Sequence, residues 1–390
     1  MRILYVADGR SPIALNWIAY FVEAGHEVHL ASTYPCTPDI PLASLTVIPL
    51  AFSELKQGDG GEERAGIGAL PGLLPVGLRT RARQWLAPLT FRRAAGQLAG
   101  LITSIKPDLV HAMRIPYEGM LAALAMQDGA RPPLLISVWG NDFSLHAPST
   151  PFLGSYTRKA LKRADGLHTD CFRDQRLAKE WGFNSSKPTV VLPGGGGVQP
   201  VQFYPGEPSE MDAPRVINPR GLRAYVRNDT FFHAIPLVLA VKPEVRFICP
   251  AMAGETQAED WVKELGVGAA VALLPKLFRS QMGSLFRQSA LAVSITTHDG
   301  TPNTLLEALA CGCFPIAGDI EPLREWIAHG KNGLLVDPGS PQELAAAILF
   351  ALDHPELRAR ARQINTRLIS ERADYRRVMR AAEDFYQQII

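Results

Sequence analysis

Asp299 and Glu307 lie eight residues apart in the stretch THDGTPNTLLEALACG, residues 297–312. Thr301 followed by Pro302 reads as a helix start: a hydroxyl at the N-cap, then a proline whose missing N–H would be unpaired in any case. Gly312 reads as the stop. In that helix the N–H groups of Asn303 and Thr304 have no partner, and together with the helix dipole they offer a place for an anion. Asn303 and Glu307, four residues apart, share one face, while Leu305, Leu306 and Leu309 suit packing. Asp299 and Gly300 fall in the loop before it. Paired carboxylate acceptors suit vicinal hydroxyls, and free N–H groups suit a phosphate. An exposed helical glutamate and a turn-forming aspartate would account for the same residues without a ligand.

A phosphate held there needs its charge neutralised by a metal or by Lys and Arg. No Asp-x-Asp occurs anywhere in the sequence, so no metal and no other cofactor is expected. Arg220, Arg223 and Arg227 in RGLRAYVRND supply cations that can hold phosphate bidentately. Solvated surface arginines are the plain alternative.

These residues must be positioned by something, and β-rich runs alternate with helical patterns almost from end to end. RILYVA, EVHLAS, LTVIPL, DLVHAM, LLISVWG and GLHTD read as strands in the first half. PRVINP, EVRFICP, AVALLP, LAVSITT, CFPIAG and GLLVD do so in the second. Continuous apolar strands with helical crossovers predict an α/β protein with two doubly wound parallel sheets. Glycine and proline concentrate at 192–210, which predicts the join between domains, and 194–197 reads as hinge. Ligands of such sheets bind beyond the carboxyl ends of the strands, which points to the loops VADGRSPIALNW and THDGTPN. Residues 51–75 read as an irregular glycine-rich excursion, and GVGAAV at 266–271 as a decoy that lacks the last glycine of a dinucleotide fingerprint.

Length and composition agree. With 390 residues, 47% apolar and 20% charged, the chain can bury two cores. A net charge of +2 gives no global field for nucleic acid, which is excluded as a partner. Five scattered cysteines without CxxC spacing fit reduced thiols rather than a disulfide or zinc framework. The N-terminal apolar run is too short for a signal peptide, and no run reaches the ~20 residues that span a bilayer. A soluble protein of the cytoplasm, or one at the inner membrane face, is expected.

The segment DGTPNTLLEALACGCFPIAGDIEPLREWIAHGKNGLLVDPGSPQELAAAI resembles the GT4 family of retaining glycosyltransferases, which carries a Glu-x7-Glu element continued as LLEAMACG.PVVA. The resemblance implies the GT-B fold: two Rossmann-like domains facing across a cleft, with the last helix crossing back to the first domain. Acceptor binding would fall to 1–195 with the helix at about 372–390, and donor binding to 205–371. It implies that Glu307 binds the ribose of a nucleotide-sugar. Asp299, one methylene shorter than the family's glutamate, would contact the donor sugar. Gly300, Thr301, Pro302, Asn303 and Thr304 complete that wall. Arg220 matches the family's diphosphate-binding arginine, and Arg223 or Arg227 would replace its lysine. The family's His-Gly-x-Asp segment appears as VWGND, so Trp139 stands where the histidine would be and Asp142 matches the aspartate. Trp139, Asn141, His111 and, in the altered first loop, Gly9, Arg10 and Ser11 are the acceptor-side candidates. Asp299, Arg220 and Asp142 are the catalytic ones.

The implied activity is metal-independent transfer of a sugar, with retention, from a nucleotide-sugar to a hydroxyl of a glycan, a glycolipid or a small molecule. A nucleotide-sugar epimerase, or a non-catalytic sugar-nucleotide-binding protein, is the alternative. Residues 73–93, with five arginines and no acidic residue, suit either contact with anionic lipid or an ordinary helix of the first domain.

Overall fold

A computed structural model describes residues 1–50, 76–126, 132–206 and 213–390, with backbone alone at 76–90. It divides into two compact units, residues 1–196 with 379–390, and residues 197–378. The division falls between Gly196 and Gly197.

The first unit contains β1 (Arg2–Ala7), α1 (Pro12–Glu23), β2 (Glu27–Ser32), β3 (Ser44–Val47), α2 (Val76–Ile105), β4 (Leu109–Ala112), α3 (Met120–Ala125), β5 (Leu134–Val138), α4 (Pro151–Arg163), β6 (Gly166–Thr169), α5 (Phe172–Glu180) and β7 (Thr189–Val191). Its seven strands lie in the order β3-β2-β1-β4-β5-β6-β7, and every pairing is parallel. β4 and β5 are buried at every position, because helices cover both faces of the sheet.

The second unit contains β8 (Arg215–Ile217), α6 (Asn228–Leu239), β9 (Arg246–Cys249), α7 (Thr256–Glu264), β10 (Val271–Leu273), α8 (Arg279–Arg287), β11 (Leu291–Ser294), α9 (Asn303–Ala310), β12 (Phe314–Gly318), α10 (Glu321–Arg324), β13 (Leu334–Val336), α11 (Pro341–Asp353) and α12 (Pro355–Arg372). Its strands run β10-β9-β8-β11-β12-β13, again all parallel. Both sheets reverse their winding direction beside the first strand, between β1 and β4 and between β8 and β11. The loops that leave those strands are where such a sheet receives a ligand.

The start of the second unit depends on a close approach. Val198 N–H donates to Ala373 C=O at 2.7 Å and Tyr375 N–H donates to Val198 C=O at 3.0 Å. Gly197 has φ +89°, and a Cβ there would collide with the Ala373 carbonyl, so only glycine fits.

The last helix, α13 (Tyr375–Ile389), supplies its residues from Met379 onward to the first unit. Tyr375, Val378, Met379, Ala382 and Phe385 form an apolar stripe along it, and all are buried. Tyr386, fully buried, joins a chain of polar groups whose direction one carbonyl sets. His168 Nε2 lies 2.9 Å from Leu192 C=O, so it must carry the proton. Its Nδ1 then accepts from the Ser137 hydroxyl at 2.8 Å. Ser137 Oγ in turn accepts from His111 Nε2 at 2.7 Å, and His111 Nδ1 accepts from the Tyr386 hydroxyl. Tyr386 Oη takes protons from Trp17 Nε1 at 2.8 Å and from Tyr5 at 3.1 Å. Burial holds both imidazoles neutral, as this pattern requires: His168 is pushed down to about 4 and His111 well below its usual value.

Two outcomes are expected. Tyr386→Phe leaves Trp17 N–H and His111 Nδ1 without partners in a dry core and lowers stability by about 1–3 kcal/mol in urea unfolding. Above pH 6.5 His168 is neutral whether folded or not, whereas between 6.5 and about 4 only the unfolded chain takes up the proton. Stability therefore falls with pH through that window, by about 3 kcal/mol in full, and His111 acts in the same direction. Unfolding at pH 7 and pH 5 checks this, and His168→Asn should flatten the acid slope.

Candidate functional site

The residues predicted to hold a donor gather at the carboxyl edge of the second sheet. Arg220 follows β8 and is 8% exposed, which demands a counter-charge. It finds one in Asp299, from the loop after the neighbouring strand β11, by an Arg220–Asp299 ion pair. A second guanidinium nitrogen reaches Thr304 Oγ1 at 3.4 Å, on the first turn of α9. The turn beneath is braced by amides: Asn218 Oδ1 accepts from Arg220 N–H at 3.3 Å, and Asn228 links Asn218 to Gly221 C=O. Gly300 N–H closes the Asp299 loop by donating to Oδ1 at 3.1 Å.

The helix start differs in detail from the sequence reading. Thr301 is not the cap, because its hydroxyl accepts from Trp326 Nε1 at 3.0 Å inside the core. Pro302 is the N-cap and α9 begins at Asn303. The consequence for the anion site survives: among the described residues no hydrogen bond occupies the N–H of Asn303 or Thr304. Asn303 Oδ1 and Arg220 Nε are also buried there without partners. Orphaned polar atoms of both signs at one sheet edge are groups that a polar ligand could satisfy.

Glu307, one turn into α9, is 7% exposed and is held by Arg279 Nη2 at 2.9 Å. Burial pushes its carboxyl up, and Arg279 opposes part of that rise. Arg279 is the functional candidate that sequence reasoning missed. It is the first residue of α8, just past the β10 exit loop, so its position at a strand's carboxyl edge was the available signal. Arg223 and Arg227 do not join the group. Arg223 donates to Tyr225 Oη at 3.1 Å, and Arg227 forms an ion pair with Asp229 at 2.7 Å.

In the first unit the predicted residues are mostly committed to structure. Gly9 follows β1, and a Cβ there would strike Cys36 and Ser32. Arg10 pairs with Asp8 and lies over the Tyr34 ring at 3.5 Å, and Ser11 caps α1 by accepting from Ala14 N–H at 3.4 Å. Asp142 is buried, accepting from Arg114 at 2.9 Å and from the N–H of Trp139 at 3.1 Å. Burial pushes its carboxyl up, while Arg114 and the backbone donors work against that. Arg114 also holds Asn141 at 2.9 Å. His111 has both ring nitrogens engaged in the buried chain described above, leaving no atom for an acceptor. Trp139 keeps its buried Nε1 unpartnered, beside Gly194. Asp170, Cys171 and Asp174 offer ligand atoms within 4.8 Å of one another, but Arg173 pairs with Asp174 at 2.8 Å and burial pushes the Cys171 thiol up.

Of the basic stretch 73–93, residues 73–75 and the side chains of 76–90 lie outside the described residues, as does the predicted excursion 51–75. Phe91 is fully buried, and Arg92 and Arg93 are exposed. Among the described residues no helix is long and apolar enough to cross a membrane.

Comparison with known proteins places this geometry. Residues 207–367 match the family model for glycosyl transferases group 1, and residues 9–195 match that for the glycosyl transferase 4-like domain. The D-inositol 3-phosphate glycosyltransferase of Thermobispora bispora is 28% identical over 138 residues, 33% of this chain and 32% of that protein. The enzyme of the same name from Jonesia denitrificans is 32% identical over 109 residues, 28% of this chain and 25% of that one. The matched stretch thus spans a third or less of these two relatives' length. In structure the chain is similar to sucrose-phosphate synthase of Thermosynechococcus elongatus, with TM-score 0.76, 15% identity and coverage of 100% and 99%. It is similar to Anabaena Alr3699/HepE in complex with UDP-glucose, with TM-score 0.74, 17% identity and full coverage of both chains. Likeness at this identity shows the fold, which is GT-B. Matched in both units, the chain belongs to the group 1 glycosyltransferases of the GT4 type.

Proposed function

We infer that the protein transfers a sugar from a nucleoside diphosphate sugar to a hydroxyl, with retention at the anomeric carbon and without a metal. The observation that carries this is the meeting of Arg220, Asp299, Thr304 and the open N–H groups of α9 beside the Arg279–Glu307 pair. Each component has a task in the reaction. The N–H groups of Asn303 and Thr304 and the guanidinium of Arg220 take the charge of the leaving diphosphate, which a metal would otherwise carry. Glu307 offers its remaining carboxylate capacity to a pair of ribose hydroxyls, and Asp299 does so for the sugar. The leaving phosphate serves as base for the incoming hydroxyl on the same face, so the protein chiefly positions groups and stabilises charge.

Two further facts support the reading. The structurally similar HepE was solved with UDP and with UDP-glucose. The curated relatives are named for transfer to an inositol phosphate, a small hydroxylated acceptor. A glycan, a glycolipid or a small polyol would all meet the chemical requirement here, since only a hydroxyl must be presented.

The test is donor turnover followed by proton NMR, using UDP-, GDP- and ADP-sugars with EDTA present throughout. We expect one of the donors to be consumed, slowly with water and faster with an acceptor, and the first product to keep the donor's anomeric configuration. An inverted product would overturn retention, and recovery of activity only on adding a divalent ion would overturn metal independence. Tight binding with no turnover on any acceptor would leave a nucleotide-sugar-binding protein instead.

A further inference from the structure

The second unit holds a cavity of about 950 Å³ that is separate from the residues above. Its walls come from the amino edge of the sheet: the first residue of β8, the end of α8, the end of α9 and one face of α12. Arg215, Arg287, Arg358 and Arg362 all line it, and each is half-buried. Among the described residues none of the four has a carboxylate partner. Arg367 at the same wall does, in Glu371 at 2.7 Å.

What the four guanidinium groups touch is neutral. Arg215 reaches Gln288 at 2.7 Å, Arg287 the Gln202 carbonyl at 3.2 Å, and Arg362 the Gly206 carbonyl. Arg358 caps the carbonyls of Ala351 and Leu352 at 2.6 and 2.8 Å, at the end of α11. Carbonyls at helix ends carry partial charges only, so they orient the arginines without cancelling them. Burial holds Arg358 below its usual value, and Glu356, two residues earlier on the helix, opposes part of that fall without bonding to it. Thr366 and Ser370 add hydroxyl donors to the same wall.

We propose that this arginine-lined cavity binds a phosphorylated small molecule. Converging guanidinium groups with no carboxylate bonded to them among the described residues match phosphate oxygens, and the volume suits a ligand of metabolite size. A macromolecular anion is disfavoured because the charges line a cavity rather than a face. The site lies at the far end of α9 from Asn303: Cys311 and Gly312 line it, and the eight residues of the helix span about 12 Å.

The probe is inorganic pyrophosphate, with chloride used to match ionic strength, and the readout is thermal unfolding of the full chain. Arg358→Gln/Arg362→Gln removes two of the cations. Ser370→Glu, at an exposed helix position, keeps all four and sets a carboxylate beside them. Pyrophosphate should raise the wild-type midpoint by about 5 °C or more at about a hundredfold excess over Kd. Most of that rise should vanish in both variants, while the midpoint shift produced by UDP persists in both. Ser370→Glu keeps the test decisive if the double variant does not fold. No shift in the wild type, or a full pyrophosphate shift in the variants, overturns the proposal. So does loss of the UDP response in the variants, which would make the cavity the nucleotide site. The UDP response itself concerns the donor reading, so the two inferences fail separately.

Discussion

In an all-parallel sheet every strand leaves at one edge and every following helix starts there, and the rest of this structure depends on that constraint. It gathers open helix N–H groups and strand-exit loops on one side of the second unit, and helix ends with their exposed carbonyls on the other. β8 and β11 are neighbours at the point where the winding reverses, so Arg220 and Asp299 meet although 79 residues separate them in sequence. The same geometry brings Asn303 and Thr304 to that edge. Arginines that cap carbonyls collect at the opposite one.

Charge balance then shapes the site. Arg220 and Glu307 are both nearly buried, and an isolated ion in either place would be costly. Each is matched, Arg220 by Asp299 and Glu307 by Arg279, so the pairs leave the edge close to neutral. In the proposed reaction a diphosphate arriving there would meet two cations whose carboxylate partners could turn to sugar and ribose hydroxyls. The ion pairs thereby keep the charged groups in place before the ligand comes.

The strands were legible because fully buried parallel strands are continuous apolar runs bounded by turns. β7 was missed, since Thr189–Val191 is three half-buried residues at a sheet edge just after Pro188. The shared face of Asn303 and Glu307 was legible from helix spacing, with Asp299 in the loop just before. What escaped was set by partners distant in sequence. Thr301 looked like a cap but is claimed by Trp326, 25 residues later. Arg279 carried no motif at all. His111 sits at a strand end like a site residue, yet Tyr386, 275 residues later, occupies it. Local pattern reveals which groups a segment offers, and only the tertiary contacts show which are already spent.

The central claim is that the carboxyl edge of the second unit receives a nucleoside diphosphate through Glu307 and Arg220. Calorimetric titration of UDP, GDP and ADP into the wild type, Glu307→Ala and Arg220→Ala tests it most directly, with circular dichroism confirming that each variant is folded. The account predicts that one nucleotide binds the wild type and that its Kd weakens by about tenfold or more in each variant, the loss expected for a charged hydrogen-bonding partner. An unchanged Kd in folded Glu307→Ala would contradict it.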